Sequence, residues 1–222
     1  GGKSIGLLSG SMLKAVNVDW SSIAPIASTT PAATSTVKIS TSLKGDDGDN
    51  VLQGSAYPNF FEGGKGNDTM QGNAGLDSYL FGITPEQNGT DIIQNFSIGK
   101  GADVLNFSAF LNKTGSARIS AVNSANIVPK GWLNGDVLTV QGNNLNPTSL
   151  ANIFGAAKAF AAPTSACKLV IISADIIGDA SIWYVINQNA TSLISPDEIT
   201  LVGTIKNINN LELVGFDITN FA

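Results

Sequence analysis

The chain has 222 residues, 43% of them hydrophobic and only 13% charged, with 24 glycines and a formal net charge of −5. That mix allows a real core and suits many short strands joined by turns better than a helical bundle. Twelve basic residues and no histidine argue against nucleic acid as a partner and remove the usual neutral-pH general base, His-based nucleophile pairs and helical His zinc sites.

No phosphate-cradling Gly-x-x-x-x-Gly-Lys stands in for them, so an enzyme is not expected. No apolar stretch reaches the roughly 18 residues of a bilayer span. The single Cys167 rules out an internal disulfide and, beside a hydrophobic run, reads as a small core residue.

Residues 1–43 read as an N-terminal extended segment. "SIGLLSGSMLKAVNVDW" has scattered apolar residues. "SSIAPIASTTPAATSTVKIS" is broken by Pro25 and Pro31 and fits a linker, or an extended strand lying on another surface. Thr36–Leu43 alternates as an opening strand.

Residues 45–80 divide into four nonapeptides, "GDDGDNVLQ", "GSAYPNFFE", "GGKGNDTMQ" and "GNAGLDSYL". Gly45, Gly54, Gly63 and Gly72 open the units, and Gly48, Gly66 and Gly75 hold position four in three of them. Position six is Asn50, Asn59, Asp68 and Asp77; position eight is Leu52, Phe61, Met70 and Tyr79. Six residues of turn and three of strand make half a coil of a roll. The glycines permit tight positive-φ turns, and the large residue at position eight fills the interior. The acid at position six reaches between one turn and the equivalent turn of the next coil. Carbonyl and carboxylate oxygens together form an oxygen-only cage suited to Ca2+. A flexible Gly/Asn linker would have no reason to keep one apolar residue at a fixed place in every unit.

These units resemble the calcium-binding repeats of the repeats-in-toxin (RTX) family, with the pattern Gly-Gly-x-Gly-x-Asp-x-large-x. The resemblance implies a parallel β-roll with calcium between successive turns on each side. On one side it implies Asp47, Asp49 and Asp68, with carbonyls near Gly45 and Gly63. On the other, Asp77 is the matching acid, and repeat two departs from the pattern at Tyr57, Pro58 and Asn59. The next segment, "NGTDIIQNFSIGKGADVLNFSAF", resembles the stretch C-terminal to the repeats in type I secreted RTX proteins. There Asp91 is expected to extend the calcium ladder and Asp103 to cap or order its turn.

Beyond residue 113 the apolar runs are short. "KLVIISAD" and "ASIWYVINQ" read as a hairpin around Gly178-Asp179. Asn146 and Pro147 open a helix expected to run through "TSLANIFGAAKAF", packing Leu150, Ile153, Phe154, Ala157 and Phe160 on the sheet. Asp197 and Glu198 read as surface charges. This half resembles C-terminal domains of bacterial surface-layer and adhesin-type proteins, with "EITLVGTIKNINNLELVGFDITNFA" as closing strands and export signal.

The expected fold is therefore mainly β: a calcium-binding parallel β-roll at 44–112, then a β-rich C-terminal domain with one helix at 113–222. The expected function is a secreted, calcium-binding structural protein at the cell surface, with copies of itself and cell-surface polysaccharide as partners. The alternative is a C-terminal folding and type I secretion module of a larger adhesin or hydrolase.

Overall fold

The computed structural model describes residues 3–9, 12–18, 40–112, 118–122, 136–142, 145–154, 167–174, 178–188, 194–209 and 212–222. The chain forms two compact units, Gly1–Val37 and Lys38–Ala222. In the first, β1 (Lys3–Ser9) and β2 (Met12–Val18) pair antiparallel from Lys3↔Val18 to Ser9↔Met12. A hairpin thus replaces the extended segment expected there. The Pro-containing stretch read as a linker, and the start of the opening strand, lie outside the described residues.

In the second unit, the nonapeptide period becomes a roll. Strands β3 (Thr41–Lys44), β5 (Asn59–Glu62), β7 (Ser78–Leu80) and β9 (Val104–Asn106) pair in parallel as one wall. Strands β4 (Val51–Gln53), β6 (Thr69–Gln71) and β8 (Asp91–Gln94) form the other, also in parallel. Pairings such as Leu43↔Phe61↔Tyr79↔Leu105 and Leu52↔Met70↔Ile93 stack the inward side chains. Phe61, Met70, Tyr79, Ile93 and Leu105 are buried in one cluster, with Leu43 and Leu52 packed against it. The intervening residues point out, leaving Phe60 and Val51 exposed.

The helix α1 (Ser108–Leu111) follows the roll and buries Phe110 and Leu111. Next come β10 (Arg118–Val122), β11 (Asp136–Gln141), α2 (Pro147–Ala151), β12 (Cys167–Ala174), β13 (Ala180–Asn187) and β14 (Ile199–Ile205). Strands β12 and β13 are the antiparallel pair read from the sequence, with Cys167 buried at its start. Their unbroken apolar runs follow from burial on both faces. Val170, Ile172, Ile182 and Tyr184 face the roll's core cluster. Leu169, Ile171, Trp183 and Val185 join a second cluster with Leu150 and Phe154.

Three expectations change. The distal half is not a separate compact unit, because β14 pairs in parallel with β8 (Gly203↔Asp91 to Ile205↔Ile93). The result is one eight-stranded sheet, β10-β11-β12-β13-β14-β8-β6-β4. The helix begins as expected, with Asn146 capping the Ser149 amide, but α2 ends at Ala151; residues 155–160 lie outside the described residues. The closing segment is strand only at β14: further on, Leu213–Gly215 and Ile218–Asn220 are 3-10 turns. The tail then docks on the roll through a Leu105↔Phe221 bridge, with the Phe107 amide donating to the Ala222 carbonyl at 2.6 Å.

Candidate metal centre

Each coil places its position-six residue at the end of a turn, where the chain enters a strand. On one side the Asn50 amide donates to Asp68 Oδ1 at 2.8 Å, and the Asp68 amide donates to Asp91 Oδ1 at 3.0 Å. On the other, the Asn59 amide donates to Asp77 Oδ1 and the Asp77 amide to Asp103 Oδ1, both at 2.8 Å. Two matched columns result, Asn50-Asp68-Asp91 and Asn59-Asp77-Asp103. At the first coil the asparagine carbonyls turn back on their own turns, accepting from the Asp46 and Ser55 amides at 2.7 and 2.8 Å.

Asp68, Asp77, Asp91 and Asp103 are all buried, at 2% exposure or less. Burial is the largest cause raising each carboxyl, to about 6 for Asp77 and about 8 for Asp91. Neighbouring acids add repulsion: Asp103 at Asp77, and Asp68 at Asp91. Among the described residues, Asp68 Oδ2 and Asp77 Oδ2 have no hydrogen-bond partner. A buried carboxylate oxygen in that state needs a proton or a cation.

The glycines make room for these oxygens. A Cβ at Gly63 would lie 2.3 Å from Asp68 Oδ2, and one at Gly72 would lie 2.4 Å from Asp77 Oδ2. A Cβ at Gly45 would lie 2.0 Å from the Gly63 carbonyl oxygen, so carbonyls of adjacent coils also crowd the glycine faces. Among the described residues no three acidic or cysteine side chains converge. Any cation shell must therefore be completed by neutral oxygens, as a hard ion accepts.

Asp47 and Asp49 do not enter the columns. Positions three and five face outward from the turn, so Asp47 forms an exposed ion pair with Lys65. Asp49 Oδ1 accepts the Asn67 amide at 2.7 Å, and Asn67 Oδ1 accepts that of Thr90 at 2.9 Å, making an outer ladder. Asp91 does extend the Asp68 column. Asp103 does more than order its turn: Oδ2 accepts the Ser97 amide at 2.8 Å while Oδ1 continues the Asp77 column. Sequence reasoning left it out because the spacing between rungs grows from 18 residues to 26 there. Glu198 is likewise not a surface charge, since its two oxygens accept the Gln188 and Ser195 amides at 3.0 Å each.

Residues 44–79 match the RTX calcium-binding nonapeptide repeat, in four copies. The chain carries an RTX repeat block. A comparison with curated proteins finds no match to the chain. RTX repeats are calcium-binding units, and the unpartnered oxygens, the glycine cradle and the all-oxygen donor set fit that ion. Asp68 and Asp91 would hold it on one side and Asp77 and Asp103 on the other, with backbone carbonyls. Bound there, calcium supplies the positive charge that the buried carboxylates lack.

Proposed function

We propose that this is a secreted structural protein whose RTX roll orders when it meets calcium outside the cell, and which then self-assembles at the cell surface. The observation that carries the reading is the pair of buried carboxylate columns with unpartnered oxygens at Asp68 and Asp77. Where calcium is scarce, burying these charges opposes folding and the chain stays exportable by a type I system. At extracellular calcium the ion offsets that cost. For an affinity of about 10⁻⁴ to 10⁻³ M, stabilisation is about 1–2 kcal/mol per site.

Self-assembly is supported by apolar side chains on the roll's outer surface, Phe60, Leu80 and Val51 among them, and by β3 and β4 as sheet edges. The absence of histidine, and with it of a His-activated nucleophile, supports a binding role rather than catalysis. Cell-surface polysaccharide fits as a further partner of the assembled protein. The test is mass in solution, by size exclusion with light scattering, in calcium and in chelator. Large assemblies that form only with calcium support the reading; a monomer in both conditions overturns self-assembly.

The second reading is a folding and export module of a larger adhesin or hydrolase. It draws on the docked tail: Asn220 is buried and its Nδ2 donates to the Asp103 carbonyl at 2.7 Å, so Asn220 and Phe221 are accessible only before the roll forms. A long upstream coding region and a monomer in calcium would favour it.

A further inference from the structure

We infer that the Tyr79 hydroxyl is an oxygen ligand of the cation on the Asp77–Asp103 side, which makes the two sides of the roll chemically unequal. The inference rests on the calcium reading above and adds to it a side chain outside the acidic positions of the repeat.

Tyr79 occupies position eight, where the side chain points into the roll. It is fully buried, and among the described residues its hydroxyl has no hydrogen-bond partner. The ring is held in place, stacked on Phe61 with centroids 4.9 Å apart and planes 6° from parallel, and packed against Phe96 at 5.8 Å. This placement carries the ring tip beneath the glycine that opens its own repeat. A Cβ at Gly72 would meet the Tyr79 hydroxyl at 2.3 Å and Asp77 Oδ2 at 2.4 Å. Two buried oxygens therefore converge on one point beside a residue that has no side chain. Neither has a hydrogen-bond partner of good geometry among the described residues, the Gly72 backbone being the polar group that approaches the hydroxyl. A hard cation, which collects oxygens of mixed charge, satisfies both at once.

The other column lacks this group. Its rungs match residue type for residue type, Asn50-Asp68-Asp91 against Asn59-Asp77-Asp103, but position eight beside Asp68 is Met70. A thioether is a soft donor and a poor partner for calcium. Repeat two shows the same ring placement without the hydroxyl: Phe61 Cζ lies 2.9 Å from where a Gly54 Cβ would be. Of the four position-eight residues, Leu52, Phe61, Met70 and Tyr79, the tyrosine alone carries oxygen.

The experiment is calcium calorimetry on wild type, Tyr79→Phe and Met70→Leu, with NMR of protein carrying 13C at tyrosine Cζ. Phenylalanine already fills this place in repeat two, so Tyr79→Phe keeps the stack. The variant also assigns the Tyr79 resonance by its loss. We expect Tyr79 Cζ to shift on calcium addition and Tyr79→Phe to weaken one class of site about tenfold, the worth of one contact to a charged group. Met70→Leu should leave both classes unchanged. Calcium binding with an unshifted Tyr79 Cζ, or with both classes intact in Tyr79→Phe, overturns this inference alone. A wild-type protein that binds no calcium overturns the calcium reading together with it.

Discussion

The Asn50 amide donates to Asp68 Oδ1 across 18 residues, while the second oxygen of the same carboxylate is buried without a partner among the described residues. One side chain thus joins two coils with one oxygen and presents a charge to the interior with the other. Asp68→Asn separates these roles, since the amide keeps the acceptor and removes the charge. In chelator the variant should unfold at higher denaturant than wild type, because a buried charge is gone. In calcium it should lose about 1–2 kcal/mol of the ion's stabilisation. Denaturant unfolding with and without calcium checks both, and an undiminished calcium gain would remove Asp68 from the site.

The pH dependence should invert with calcium. Without the ion, Asp77 and Asp91 have folded-state values raised from 3.8 to about 6 and about 8. A group that holds its proton more tightly when folded stabilises the fold below its unfolded value and loses that contribution as pH rises through the folded one. In chelator, stability should therefore fall between about pH 4 and pH 8. Calcium needs the ionised carboxylates, so its affinity should rise across the same window and binding should release protons. Calorimetry in buffers of different ionisation heat, at pH 6 and pH 8, counts those protons; none released at either pH would contradict the raised carboxyls.

Glycine should matter most where backbone meets backbone. Gly66 has φ of +104°, and a Cβ there would lie 2.6 Å from the Gly48 carbonyl carbon and oxygen. Gly99 has φ of +115° with nothing within 4 Å. Gly99→Ala should cost roughly 1–2 kcal/mol for the backbone conformation alone. Gly66→Ala adds a clash between coils and should cost distinctly more, by thermal unfolding in calcium. Equal losses would mean that the coils can separate to admit a methyl group.

Glu198 supplies a control remote from the columns. Its carboxylate ties the Ser195 turn to Gln188 at the end of β13. Glu198→Ala leaves two amides without their acceptor and should cost roughly 1–3 kcal/mol. The loss should be the same in calcium and in chelator, read as parallel shifts of the unfolding midpoint.

The roll was legible because a single period set both the turn glycines and the inward residues Phe61, Met70 and Tyr79. Legibility ended where the period did. Asp103 completes the second column only because the Ser97–Asp103 turn lies over the roll, and its preceding "GKGAD" was the available signal. At Glu198, the spacing Ser195-Pro196-Asp197-Glu198 already spelled a capping box; reading the acids as surface charges hid it. Strands β10 to β14 lie in chain order, each beside its neighbour in sequence, but the pairing of β14 with β8 joins distant segments, which no local pattern encodes. Phe221 is similar, since a bridge to Leu105 is a contact that only the finished fold reveals.

The β8–β14 seam has a consequence for the time course of folding. Coils of the roll close over short stretches of chain, whereas the pairing of β14 with β8 closes a loop that holds the whole of β10 to β13. Pairings of such high contact order are slow to form, on the scale of milliseconds to seconds in β-rich proteins. Raising calcium on an unfolded chain should thus yield two separable events: rapid winding of the coils, then a slower zippering of the distal strands onto an edge already in place.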